Sequence, residues 1–150
     1  MSYWDTSTLG KLYVPEPDSD DFEKKAANEP LIRTARLAYY EMRRVAFRKE
    51  SAGLIPAGSA EAILSQLDQD IAANEIRLVE LDLQVDTEFN AIMAGCYRRT
   101  PPLPIRTFDA IHLASARVAG ETEIVATDKR LREAAKTLGF LLFPAAEDCD

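Results

Sequence analysis

Histidine and cysteine are almost missing from this sequence. One histidine, His112, and two cysteines, Cys96 and Cys149, are all that its 150 residues contain. Two thiols alone cannot make a structural zinc site, and their wide separation favours reduced thiols over a disulfide framework. A Ser-His-Asp triad survives only if His112 is its base. No apolar run approaches the ~20 residues that a membrane helix needs. The start Met1-Ser2-Tyr3-Trp4-Asp5 meets an acid before any basic, apolar leader forms. A cytoplasmic protein with no membrane partner is the expectation.

An excess of positive charge is also missing. With 18 Lys and Arg against 25 Asp and Glu, the net charge is -7, which argues against a general nucleic-acid binder. The distribution qualifies that exclusion. Arg33, Arg36, Arg43, Arg44, Arg48 and Lys49 fall within one short span whose only acid is Glu41. Such a span suits either phosphate contacts or a solvated helix face.

What is present reads as an α/β chain. Short apolar runs at Ser2 to Asp5, Leu31 to Arg33, Ile76 to Leu81, Ile124 to Thr127 and Phe140 to Phe143 predict strands. Helical patterns lie between them: Ser7 to Tyr13, Asp18 to Ala27, Thr34 to Glu50, Ser59 to Ala73, Asp82 to Arg99, Thr107 to Ala119 and Lys129 to Leu138. Ser59 and Thr107 are read as helix caps, and Gly120 and Gly139 as stops. The alternation predicts one α/β domain over residues 1–150 with a mainly parallel sheet. An acidic tail begins at Pro144.

In such a sheet, ligands bind beyond the carboxyl ends of the strands. Asp5 and Asp128 each close a predicted strand. Asp109 lies in the first turn of the helix leading back into the Asp128 strand, so it shares their edge. Glu41 has Leu37, Ala38 and Val45 at helical spacing, which sets a carboxylate beside an apolar stripe. Each acid also has a plain structural role available. Asp5 and Asp128 are good helix caps, Asp109 suits a helix dipole, and Glu41 can pair with Arg44 or Arg48. Together they would repel one another, with only Arg106 and Lys129 near them in sequence. A hard divalent cation, Mg²⁺ or Mn²⁺, matches an all-carboxylate donor set. Such an ion can activate water and hold a phosphate.

The opening run from Tyr3-Trp4-Asp5-Thr6-Ser7-Thr8-Leu9 through Pro17, the run from Arg106-Thr107-Phe108-Asp109-Ala110-Ile111-His112 through Ala116, and Thr127-Asp128-Lys129-Arg130-Leu131 with Leu138-Gly139 together resemble the PIN-domain family, in particular its VapC-type toxins. Tyr40-Glu41-Met42 matches more loosely. Residues 51–104 share only a general helical character. The resemblance implies a three-layer α/β/α PIN-like fold and a Mg²⁺- or Mn²⁺-dependent endoribonuclease. It assigns Asp5, Glu41, Asp109 and Asp128 to catalysis and metal, with Thr6, Ser7 and Thr127 supporting them by hydrogen bonds. It also implies a cognate antitoxin and a homodimer.

Arg106 and Arg44 are candidates to touch substrate phosphate or the partner, and His112 is read as a packed helix residue. A catalytically weak PIN-like module that binds RNA or antitoxin is the alternative. A phosphoacceptor domain is disfavoured, because Asp5 has no acidic neighbour. An aspartyl phosphohydrolase is disfavoured, because Ser7 stands where its second Asp belongs.

Overall fold

The computed structural model describes residues 1–145. Most of the expected acidic tail, and Cys149 with it, lie outside the described residues. The elements run β1 (Ser2–Trp4), α1 (Thr6–Gly10), α2 (Ser19–Ala27), β2 (Ile32–Ala35), α3 (Arg36–Ser51) and α4 (Ser59–Ala72). They continue with β3 (Ile76–Val79), α5 (Leu83–Tyr97), α6 (Thr107–Val118), β4 (Glu123–Val125), α7 (Lys129–Thr137) and β5 (Leu141–Phe143). The strands form one sheet in the order β3-β2-β1-β4-β5. Every pairing in it is parallel, so "mainly parallel" becomes wholly parallel.

Successive residues of a strand face opposite sides of the sheet, and β1 shows the consequence. Tyr3 and Trp4 are both fully buried, in different cores. Tyr3 packs with Val85, Ile92, Leu113, Ile124 and Leu131, under α5, α6 and α7. Trp4 packs with Leu9, Phe22, Met42, Leu67 and Val125, under α1 to α4. The result is the expected three-layer α/β/α arrangement. No helix among the described residues is long and apolar enough to cross a membrane.

Several boundaries differ from the sequence expectation: α1 stops at Gly10 and β3 at Val79, and three others have a visible cause. Thr34 and Ala35 end β2 rather than begin α3. Thr34 Oγ1 donates to the Trp4 carbonyl at 2.8 Å, and Thr34 pairs with Leu78, so cross-strand bonding overrides the helical pattern. Ser59 is the first residue of α4, not its cap. Gly58 holds the cap at φ 84°, and Ser59 Oγ donates to the Pro56 carbonyl instead. Thr107 likewise opens α6, behind Arg106. Gly120 and Gly139 do stop their helices, at φ 73° and 90°, a backbone region where a Cβ is penalised.

The β1–β4 pairing sets the working edge. Tyr3 stands opposite Ile124 and Trp4 opposite Val125, so both strands end at the same level. The Asp5 amide continues the ladder, donating to the Val125 carbonyl at 3.2 Å. Phe22 locks α2 onto this core through edge contacts with Trp4 and Phe143. Phe22→Ala is expected to lower unfolding free energy by about 3–5 kcal/mol. Urea titration followed by tryptophan fluorescence measures it, and a loss under ~1 kcal/mol would mean α2 does not seal this core.

Candidate active site

Three helix N-termini converge beyond the ends of β1 and β4, and each carries one aspartate. Asp5 caps α1, with Oδ1 accepting from the Thr8 amide at 2.9 Å and the Thr8 hydroxyl at 2.7 Å. Asp128 caps α7, with Oδ1 accepting from the Leu131 amide at 3.0 Å. Asp109 lies in the first turn of α6 and is buried. The capping roles and the clustering are therefore one fact. Helix N-termini carry partial positive charge, which makes the crowding of acids tolerable.

The three aspartates and Glu41 line one cleft of about 600 Å³, together with Thr6, Ser7, Arg106, Phe108 and His112. Glu41 reaches it from α3, where the stripe of Ala38, Met42 and Ala46 is buried. It does not pair with Arg44 or Arg48. Its Oε1 accepts from the Thr6 hydroxyl at 2.7 Å and lies 2.9 Å from His112 Nε2. His112 is thus a site residue as well as a packed one. Its Nδ1 lies 2.7 Å from the Tyr3 hydroxyl. Since a carboxylate only accepts, Nε2–H donates to Glu41, and Nδ1 is left to share a proton with the Tyr3 hydroxyl.

Charge compensation also differs from the expectation. Arg106 is placed on two of the acids. Its Nε donates to Asp109 Oδ2 at 2.6 Å and a terminal nitrogen to Asp128 Oδ1 at 2.8 Å. Burial pushes the Asp5 carboxyl above its ordinary range, against opposing help from His112 and the two Thr8 bonds. Burial acts on Glu41 in the same sense. There the bonds from His112 and Thr6 and the charges of His112 and Arg44 outweigh it, and Glu41 is held below the usual range. Burial, reinforced by Asp5, raises the Tyr3 phenol, so Tyr3 stays neutral.

The donor chemistry fits a hard cation. Each carboxylate has one oxygen tied to the protein. Asp5 Oδ2, Glu41 Oε2, Asp109 Oδ1 and Asp128 Oδ2 receive no hydrogen bond from the described residues. None is sealed away, because the fully buried, unpartnered side-chain atoms among the described residues are Arg33 Nε and Ser115 Oγ. No three acid, imidazole or thiol groups among the described residues are spaced as a ready-made cage.

One expected supporting residue, Thr127, and one expected phosphate or partner contact, Arg44, stand outside the acid cleft. Thr127 lines a neighbouring hollow, with Thr6, Ser7, Lys11 and Arg48, rather than the acid cleft. Arg44 is exposed on α3 and reaches Glu41 only through its charge. The sequence reading missed Tyr3 and Thr8, although both stand in the motif around Asp5. A hydroxyl three residues after a capping aspartate was the available sign for Thr8. Nothing local marks Tyr3, whose partner is 109 residues away.

Comparisons with known proteins agree with this fold. The PIN domain pattern matches residues 2–137. The ribonuclease VapC46 of Mycobacterium tuberculosis is 32% identical over 140 residues, covering 91% of this chain and 92% of the relative. The crystal structure of M. tuberculosis VapC20, described as a sarcin-ricin loop cleaving toxin, superposes with TM-score 0.66 at 15% identity. It covers 94% of this chain and 97% of the other. A toxin-antitoxin complex from Klebsiella pneumoniae superposes with TM-score 0.53 at 15% identity, covering 85% and 87%.

The Thr8 contacts give a direct test of how the site is built. Thr8→Val removes the hydroxyl that serves both Asp5 Oδ1 and the Val125 carbonyl at 2.9 Å. It is expected to cost about 1–3 kcal/mol by leaving a buried acceptor unmet, read by urea unfolding. An unchanged midpoint would show that Thr8 does not hold Asp5.

Proposed function

We propose that this chain, which belongs to the PIN-domain family, is the endoribonuclease toxin of a toxin–antitoxin pair and depends on Mg²⁺ or Mn²⁺. The observation that carries the reading is the cleft itself. Four carboxylates from the β1–α1 junction, α3, α6 and the β4–α7 junction each keep one oxygen free. The family relatives support the chemistry, since VapC46 is named a ribonuclease. We read residues 1–150 as one such domain.

Asp5, Asp109, Asp128 and Glu41 would hold the ion. When bound, it supplies Lewis-acid polarisation of a phosphate and a nucleophile at neutral pH. The protein's own part is positional. Thr8 fixes the Asp5 carboxylate, and Thr6 with His112 fixes Glu41. Ser7 is exposed at the cleft wall. Arg106 would leave its two aspartates and take a phosphate oxygen, for which a guanidinium fork is suited. Arg44 adds positive potential at the mouth. An antitoxin partner is supported by the K. pneumoniae toxin-antitoxin complex, whose fold this chain shares, and it would cover this cleft. A homodimer and a cytoplasmic location complete the proposal.

One contact favours a second reading. Because Arg106 neutralises Asp109 and Asp128 without any ion, the domain could bind RNA or antitoxin while cutting little. RNA cleavage by the purified chain separates the two. The nuclease reading expects cleavage abolished by EDTA, restored by Mn²⁺, and reduced roughly 100-fold or more by Asp5→Asn or Asp109→Asn. Both variants should remain folded by circular dichroism and lose the heat of Mn²⁺ binding. RNA bound but left intact by the Mn²⁺-loaded wild type would select the binding module.

Arg106→Gln provides a further expectation. Removing the guanidinium from Asp109 and Asp128 should strengthen Mn²⁺ binding in calorimetry while weakening RNA binding. A variant with unaltered Mn²⁺ affinity would show that Arg106 does not compete with the ion.

A further inference from the structure

Resting on the nuclease reading, we infer that the outer face of α3 binds the single-stranded stretch of RNA flanking the cut phosphate. The six bases near Glu41 do not share one fate. Arg33 pairs with Glu121, Arg36 with Glu80, Arg43 with Asp68 and Lys49 with Glu16. Arg44 and Arg48 are exposed and carry no ion pair among the described residues. In a chain of net charge -7, these two guanidiniums stand without acids on the helix that carries Glu41 to the cleft.

Two aromatics stand on the same face. Tyr40 is 59% and Phe47 47% exposed. Tyr40, Arg44, Phe47 and Arg48 follow one another at i, i+4, i+7 and i+8, the spacing of a single helix face. In an ordinary surface helix that face is apolar and buried. Here it alternates rings with cations and meets solvent. Arg44 and Arg48 lie about 4.5 Å and about 10.5 Å along the axis from Glu41, at ~1.5 Å per residue. The strip therefore begins at the cleft and leads away from it. Phe108, 55% exposed, lines the cleft as a third ring.

This chemistry selects its ligand. Cations at these steps suit successive phosphates, and each one neutralised releases counterions. Exposed rings suit bases whose faces are free, which a duplex does not offer. The preferred substrate is then a loop or other unpaired segment. Arg48 also lines the hollow shared with Thr6 and Ser7, which gives the strand a continuous path into the cleft.

The test is binding of a short single-stranded RNA, followed by fluorescence anisotropy in EDTA across a range of salt. Against wild type, Arg44→Gln/Arg48→Gln should flatten the plot of log affinity against log salt by about 1.4, at ~0.7 per phosphate contact. Tyr40→Ala should weaken binding roughly tenfold. All three positions are exposed, so thermal midpoints should match wild type.

An unchanged slope and affinity, in a chain whose wild type cuts RNA, would overturn the inference and leave the nuclease reading standing. The flattened slope, in a chain that cuts no RNA with Mn²⁺, would uphold the inference and remove that reading. Sedimentation gives the other decisive result. A wild-type dimer that falls to monomer on Tyr40→Ala, with RNA affinity intact, would assign the face to a second copy and overturn the proposal. Loss of a protein partner's binding, again with RNA affinity intact, would overturn it in the same way.

Discussion

Concentrated negative charge at one edge of a parallel sheet is the constraint on which the rest of this molecule depends. Like charges brought together this closely must be balanced. The protein balances them with several weak positive sources rather than one strong one. The ends of α1, α6 and α7 supply partial charge and amide donors. Arg106 supplies a full charge to Asp109 and Asp128. Buried hydroxyls and an imidazole serve Asp5 and Glu41. Because each source ties up one carboxylate oxygen, the other remains available. An edge built only for stability would pair both.

The wholly parallel sheet makes this possible. Parallel strands need crossover helices, and every helix that returns to the sheet begins at the carboxyl edge. The β1–β4 register then brings Asp5 and the Asp128 junction level. Glu41 does not come from a strand end, and its placement takes more support. α3 must pass close over α1, where Gly10 leaves ordinary contact room for Met42. Thr6 and His112 then turn the carboxylate inward. His112 is in turn held by Tyr3, whose ring belongs to the core beneath α6. One buried chain of hydrogen bonds so connects the sheet to the most distant acid.

Much of this was legible in the residues. Alternating short strands and helices gave the α/β class, and strand-end logic gave Asp5, Asp109 and Asp128 as neighbours. The capping motifs at Asp5 and Asp128 are local, and both occur. The Thr34–Ala35 boundary was not legible, because strand pairing with Leu78 and Val79 decides it. Nor was the partition of the bases around Glu41. Arg36 and Arg43 are tied by Glu80 and Asp68, from the ends of β3 and α4, and no spacing in sequence signals those meetings.

The sequence by itself determined the donor chemistry. With one histidine and two distant cysteines, the converging groups had to be carboxylates, and carboxylates select a hard cation. It also determined the strand–helix rhythm that sends three of them to one edge, since periodicity and capping act within a few residues. Only the tertiary structure decided which oxygens stay free, that Arg106 spans two of the acids, and that His112 serves Glu41. Those outcomes depend on contacts between residues as far apart as Tyr3 and His112. The folded packing sets such distances, and no local pattern encodes them.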